Sequence, residues 1–138
     1  MTTPSVLFVC VKNGGKSQMA AGLMRKAVGD AVEVHSAGTK PSGTVNALSA
    51  EALLEVGVDL AGEQPKPIDP KLLSRIDYAI TLGSEARVDP VDGPTFENWN
   101  TDEPSERGID GIERMRLVRD DIAARVEELV SRLRDTDG

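Results

Sequence analysis

Residues 10 to 17 read Cys-Val-Lys-Asn-Gly-Gly-Lys-Ser, and no other stretch of the chain brings so many reactive or anion-binding side chains together. A cysteine can attack as its thiolate. Lys12 and Lys16 carry positive charge, Asn13 and Ser17 carry polar donors, and Gly14 and Gly15 free the backbone to turn its N–H groups inward. Such a loop is suited to hold a tetrahedral oxyanion with a sulfur beneath it. Cys10 is also the only cysteine, so no internal disulfide can form, and any redox chemistry there must take a second thiol from another molecule.

The elements around the loop follow from the hydrophobic pattern. Ser5 to Cys10 is apolar and β-branched, the signature of a buried parallel strand. From Ser17 the pattern becomes helical, with Ala20, Leu23, Met24 and Ala27 on one face. The loop therefore joins a strand to a helix N-terminus, where unpaired N–H groups and the helix dipole favour an anion. The same field favours the ionised form of a thiol. Val32 to Ala37 reads as a second strand and Ala47 to Val56 as a second helix. Asp69-Pro70 starts a helical turn, Ile76 to Leu82 makes a third strand and Thr95 to Trp99 a fourth. Met115, Val118, Ile122, Val126, Leu129 and Leu133 form the apolar stripe of a long C-terminal helix lying on the sheet. Its Arg, Asp and Glu residues read as a solvated face with i,i+4 pairs. The expectation is a single α/β domain over residues 1–138.

Composition narrows the partners. With 16 basic and 23 acidic residues the formal charge is -7 and the sequence pI about 4.7, which disfavours a nucleic-acid surface. The longest apolar run, Val6 to Val11, is too short to span a membrane, and the N-terminus lacks the basic flank of a signal peptide. The expected location is the cytoplasm, with no nucleic acid, membrane or metal among the partners and no tightly bound cofactor.

Two parsings of the loop remain. A nucleotide-binding Gly-x4-Gly-Lys-Ser loop would need a glycine where Cys10 stands and a strand ending in a magnesium-binding aspartate elsewhere, and the sequence has neither. The other is a Cys-x5-Arg-Ser loop with Lys16 in place of the arginine. Cys10, Asn13 and Ser17, together with His35-Ser36-Ala37-Gly38-Thr39 and Glu103-Pro104, make the chain resemble the low-molecular-weight protein tyrosine phosphatase superfamily over nearly its whole length. That resemblance implies a three-layer fold, a four-stranded parallel sheet flanked by helices. It implies that Cys10 is the nucleophile, that Ser17 stabilises its thiolate and that Asn13 holds the loop. Lys12, Asn13, Gly14 and Gly15 would bind the oxyanion, Lys16 would clamp it, and Glu103, or its neighbour Asp102, would be the acid.

Two departures point to a branch: Lys16 replaces the family arginine, and Glu103 or its neighbour Asp102 replaces the family aspartate. In addition, Ser105-Glu106-Arg107-Gly108 stands where tyrosine phosphatases of this kind place rings around a phenol. Aromatic residues make up only 3% of the chain, and the lone Trp99 reads as core. The chain is most similar to the arsenate reductases of the superfamily. Members with a three-cysteine relay carry two further cysteines after the third strand, but here that stretch is Gly83 to Pro90, with no thiol. The resemblance therefore implies the arsenate-mycothiol transferase type. Arsenate would be conjugated to mycothiol or a similar low-molecular-weight thiol as co-substrate, and a mycoredoxin-like reductase would release arsenite. The alternatives at this stage are a phosphatase acting on phosphate esters and a non-catalytic oxyanion-binding module.

Overall fold

Strand β1 (Ser5–Cys10) is buried along its full length, as its apolar sequence requires of a strand covered on both faces. The computed structural model describes residues 3–137. Three further strands, β2 (Glu33–Gly38), β3 (Tyr78–Leu82) and β4 (Thr95–Trp99), complete one parallel sheet in the order β2-β1-β3-β4. Helices α1 (Lys16–Val28), α2 (Ala47–Leu54), α3 (Pro70–Arg75) and α4 (Gly111–Asp137) cover it. Side chains alternate across the sheet. Val6, Phe8 and Ile80 join Met19 and Met24 of α1, Leu53 of α2 and Ile122 and Leu129 of α4 in one core. Leu7, Val9, Ala37 and Ala79 face Leu73 and Ile76 in the other. This is the expected three-layer α/β architecture.

Most element limits agree with the sequence pattern, and the exceptions have local causes. Ile76 and Asp77, expected in the third strand, precede it. The Ile76 N–H closes α3 onto the Leu72 carbonyl at 3.1 Å, and the Asp77 N–H reaches the Ser5 carbonyl at 3.1 Å. Helix α2 stops at Leu54 because Gly57, at φ +82°, turns the chain back. Trp99 is core, 5% exposed, with its ring 5.5 Å from Phe8 and tilted by 53°. The α4 stripe is buried from Val118 to Leu133, and Met115 is half-buried beside it. Among the described residues no helix is long and apolar enough to cross a membrane.

The charges of α4 do more than pair along the helix. Arg125 and Arg132 make the expected i,i+4 pairs with Asp121 and Glu128. Arg116 and Arg119 both reach Glu55, just past α2, at 2.6 and 2.8 Å, and Arg132 reaches Glu97 on β4 at 2.7 Å. Bonds from Arg116, then from Arg119, hold the Glu55 carboxyl down at about 2. A carboxyl depressed from 4.5 in this way favours the folded state at all pH values above its ordinary range, and the contribution is lost as pH falls from about 4.5 through about 2. Glu55→Gln should therefore lower stability slightly at pH 7 and flatten the acid limb of the stability curve in that window. Urea unfolding at a series of pH values measures both effects.

Candidate active site

The turn between β1 and α1 receives its shape from a distant part of the chain. Thr39, Lys40, Ser42 and Asn46 donate their backbone N–H groups to the carbonyls of Cys10, Val11, Lys12 and Gly14, at 3.1, 2.7, 2.9 and 2.6 Å. With these carbonyls held on one side, the loop can present N–H groups on the other. The first bond that closes α1 runs from the Met19 N–H to the Gly15 carbonyl at 2.9 Å, so the N–H groups just before it have no helical acceptor. Gly38, paired with Cys10 across the sheet, allows the close approach. A Cβ there would stand 2.7 Å from the Val11 carbonyl oxygen and 2.9 Å from the Asn13 Cβ. The Ser-Ala-Gly-Thr motif is thus the bed on which the loop lies.

A chain of hydrogen bonds with one direction ends at the sulfur. The backbone N–H of Lys66 donates to Asn13 Oδ1 at 3.0 Å, which fixes the oxygen end of that amide. Nδ2 must then face Ser17, and it donates to Ser17 Oγ at 2.7 Å. Ser17 is left with its proton for Cys10 Sγ at 2.9 Å. The Asn13 N–H adds a second donor to the sulfur at 3.2 Å. Asn13 reaches this position with φ +52°, a conformation that asparagine tolerates better than most residues. Cys10 is 8% exposed, while Asn13 and Ser17 are fully buried. Donors aimed at sulfur suit a thiolate.

The residues expected to hold the oxyanion divide into two groups. Lys12, Gly14, Gly15 and Lys16 line a cavity of about 690 Å³ that opens above Cys10. The Asn13 side chain, expected among the oxyanion ligands, does not line that space and is committed beneath the loop to Ser17, Lys66 and Gln18. Lys16 is paired with Glu103. The two carboxylates considered for the acid also separate. Glu103 lines the cavity, whereas Asp102 points away into a two-bond pair with Arg107 at 2.8 and 3.1 Å, which holds its carboxyl below the usual range.

Several residues of the site escaped the sequence pattern. Ser42, Thr44, Asn46 and Ser49 form one wall, and Arg114 and Met115 of α4 another. Asn46 could have been found, since it caps α2 by accepting the Ser49 N–H at 2.9 Å, an arrangement its position before Ala47 suggests. Arg114 carries no such signal and looks like one more arginine on a charged helix. No group of three or more His, Cys, Asp or Glu that could hold a metal ion occurs among the described residues.

Comparison with known proteins agrees with this geometry. Residues 5–137 match the family described as low molecular weight phosphotyrosine protein phosphatase. The chain is 33% identical over 135 residues to arsenate reductase 2 of Staphylococcus haemolyticus, covering 96% of this chain and all of that protein. A structure described as an arsenate reductase in the phosphate binding state superposes with a TM-score of 0.81 at 30% identity, over 94% of this chain and 98% of that one. The thioredoxin-dependent arsenate reductase of Corynebacterium glutamicum also has a TM-score of 0.81, at 32% identity over 96% of this chain, which spans 63% of that protein's length. A tyrosine phosphatase of Erwinia amylovora shares the fold with a TM-score of 0.76 at 16% identity.

The hydrogen-bond chain predicts how Cys10 reacts. Ser17→Ala removes the hydroxyl donor from the sulfur, and a hydrogen bond to a charged group contributes about 1.5–3 kcal/mol. Alkylation of Cys10 by iodoacetamide at pH 7 should slow about tenfold or more, with little change in circular dichroism. An unchanged rate would show that the hydroxyl does not support the thiolate.

Proposed function

This chain belongs to the low molecular weight phosphotyrosine protein phosphatase family, and from that membership we propose that it is an arsenate reductase that conjugates arsenate to a low-molecular-weight thiol such as mycothiol. The observation that carries the reading is a sulfur held by Ser17 and the Asn13 N–H at the base of an anion loop, in a chain with no second cysteine. Relatives described as arsenate reductases support the substrate.

The residues divide the work as follows. The N–H groups before Met19, with Lys16 and Lys12, hold the arsenate oxygens above Cys10, and the helix N-terminus favours their charge. The Cys10 thiolate attacks arsenic, an As–O bond breaks, and the departing oxygen takes a proton from Glu103 and leaves as water. The small thiol then gives its proton to Glu103 and displaces Cys10, so that the As–S bond of the adduct forms as the Cys10–As bond breaks. A mycoredoxin-like thiolate then attacks the sulfur of the adduct. The electron pair of the S–As bond stays on arsenic, arsenate becomes arsenite, and a mixed disulfide forms. The Corynebacterium relative is described as thioredoxin-dependent. Within these 138 residues one cysteine can form no internal disulfide for thioredoxin to reduce.

Arsenite release measured with each reductant tests the proposal. Mycothiol with its redoxin should sustain many turnovers, thioredoxin alone should sustain none, and Cys10→Ser should be inactive in both while keeping its fold. Multiple turnover with thioredoxin and no small thiol would overturn the assignment of the co-substrate.

Lys16 generates a second test. An arginine would offer two parallel N–H groups to a transferring phosphoryl group, whereas the lysine ammonium is a compact charge without that fork. A preorganised donor of this kind contributes about 2.7–4 kcal/mol to transition-state stabilisation. Lys16→Arg should raise hydrolysis of an aryl phosphate without raising arsenate turnover. Equal phosphatase rates in the two proteins would remove Lys16 as the discriminating residue and favour a phosphatase.

A further inference from the structure

Glu103 faces two cations across the mouth of the loop. Its Oε1 pairs with Lys16 Nζ, and its Oε2 lies 4.0 Å from Arg114 Nη2. Arg114 is set on the first turn of α4 and lines the same cavity as Cys10 and Lys16. Its Nε is buried without a hydrogen-bond partner, and among the described residues its ion pair is with Glu103 alone. The guanidinium is therefore close enough to attract the carboxylate without being saturated by it.

An oxyanion that enters the loop and Glu103 both require Lys16. Two negative groups on one ammonium repel each other, most strongly where the walls exclude water. Sharing Lys16 costs both groups, and the cation already beside the second carboxylate oxygen, with a buried Nε that has no hydrogen-bond partner, is Arg114. We propose that Arg114 is a positioning residue of the oxyanion site, receiving the Glu103 carboxylate when an oxyanion takes Lys16. The exchange keeps Glu103 beside the reacting atoms, where it can move a proton, and relieves its competition for the loop. The inference rests on the reading of the loop as an oxyanion site and is independent of which thiol serves as co-substrate.

Inorganic phosphate serves as the probe, with affinity measured by calorimetry and by protection of Cys10 from iodoacetamide. Four proteins form a cycle: wild type, Arg114→Gln, Glu103→Gln and the double variant. Arg114→Gln leaves Glu103 on Lys16 and should weaken phosphate binding about five- to tenfold, while Glu103→Gln should tighten it. On the Glu103→Gln background, loss of the guanidinium should change affinity less than about twofold, because its effect passes through the carboxylate. Arg114→Lys keeps the charge and should restore most of the wild-type affinity, which separates positioning from packing even if the glutamine variant folds poorly. An equal loss on both backgrounds would mean that Arg114 binds the oxyanion itself, and an unchanged affinity in Arg114→Gln would mean that it takes no part. Either result overturns the exchange. Absence of phosphate binding by the wild type would instead overturn the oxyanion site as a whole.

Discussion

Backbone N–H groups of residues 39, 40, 42 and 46 hold the carbonyls of residues 10, 11, 12 and 14, and the chemistry of the site depends on that constraint. A carbonyl turned into the cavity would repel an oxyanion, and no side chain in the loop could compensate for several of them. The segment after β2 gives these oxygens other partners. What remains at the cavity is the N–H side of the loop, the open end of α1 and the sulfur. The same constraint explains why β1 and β2 must pair as neighbours in the sheet, since the donors begin one residue after the Cys10–Gly38 register.

The parts of this arrangement that are local in sequence could be read from it. Strand, glycine turn and helix start follow one another within about twenty residues, so periodicity and the Cys10–Ser17 spacing were enough to place them. The α4 stripe was equally legible, because every third or fourth residue from Val118 to Leu133 is apolar. Long-range donors are another matter. Nothing about Thr39, Ser42 or Asn46 marks them as partners of residues 10 to 14, because a backbone N–H is the same in every non-proline residue. Asp102 and Glu103 are adjacent and chemically alike, and only the direction each side chain takes separates an ion pair with Arg107 from a group in the cavity. Asn13 was expected to hold the loop and also to bind the anion. Which of its groups faces where depends on bonds to Ser17, Lys66 and Gln18 that only the folded chain brings together.

Charge works at short range in this molecule. The chain carries a net charge of -7, so a dianion approaching from a distance meets no general attraction. At physiological ionic strength the field of remote acidic residues fades over about 8 Å. Inside that range Lys12, Lys16, Arg114 and the helix N-terminus dominate, and Glu103 offsets part of their charge. The charge that a group entering the cavity meets is therefore set at the mouth of the loop, where Lys16 is paired with Glu103, and not by the surface as a whole.

The loop borrows its donors from roughly thirty residues further along the chain, and this has a consequence for how the protein acquires its native state. A parallel pair such as β1 and β2 needs the crossover through α1 between them, so it is a non-local contact and a comparatively slow one to form. Until it forms, residues 10 to 17 are an ordinary flexible peptide with an unremarkable thiol. The anion site and the native topology therefore appear together, and a ligand that recognises only the finished loop adds to the free energy of folding in proportion to the logarithm of its concentration above its dissociation constant. Any oxyanion that the finished loop binds acts in this way as a folding aid, whatever chemistry follows its capture.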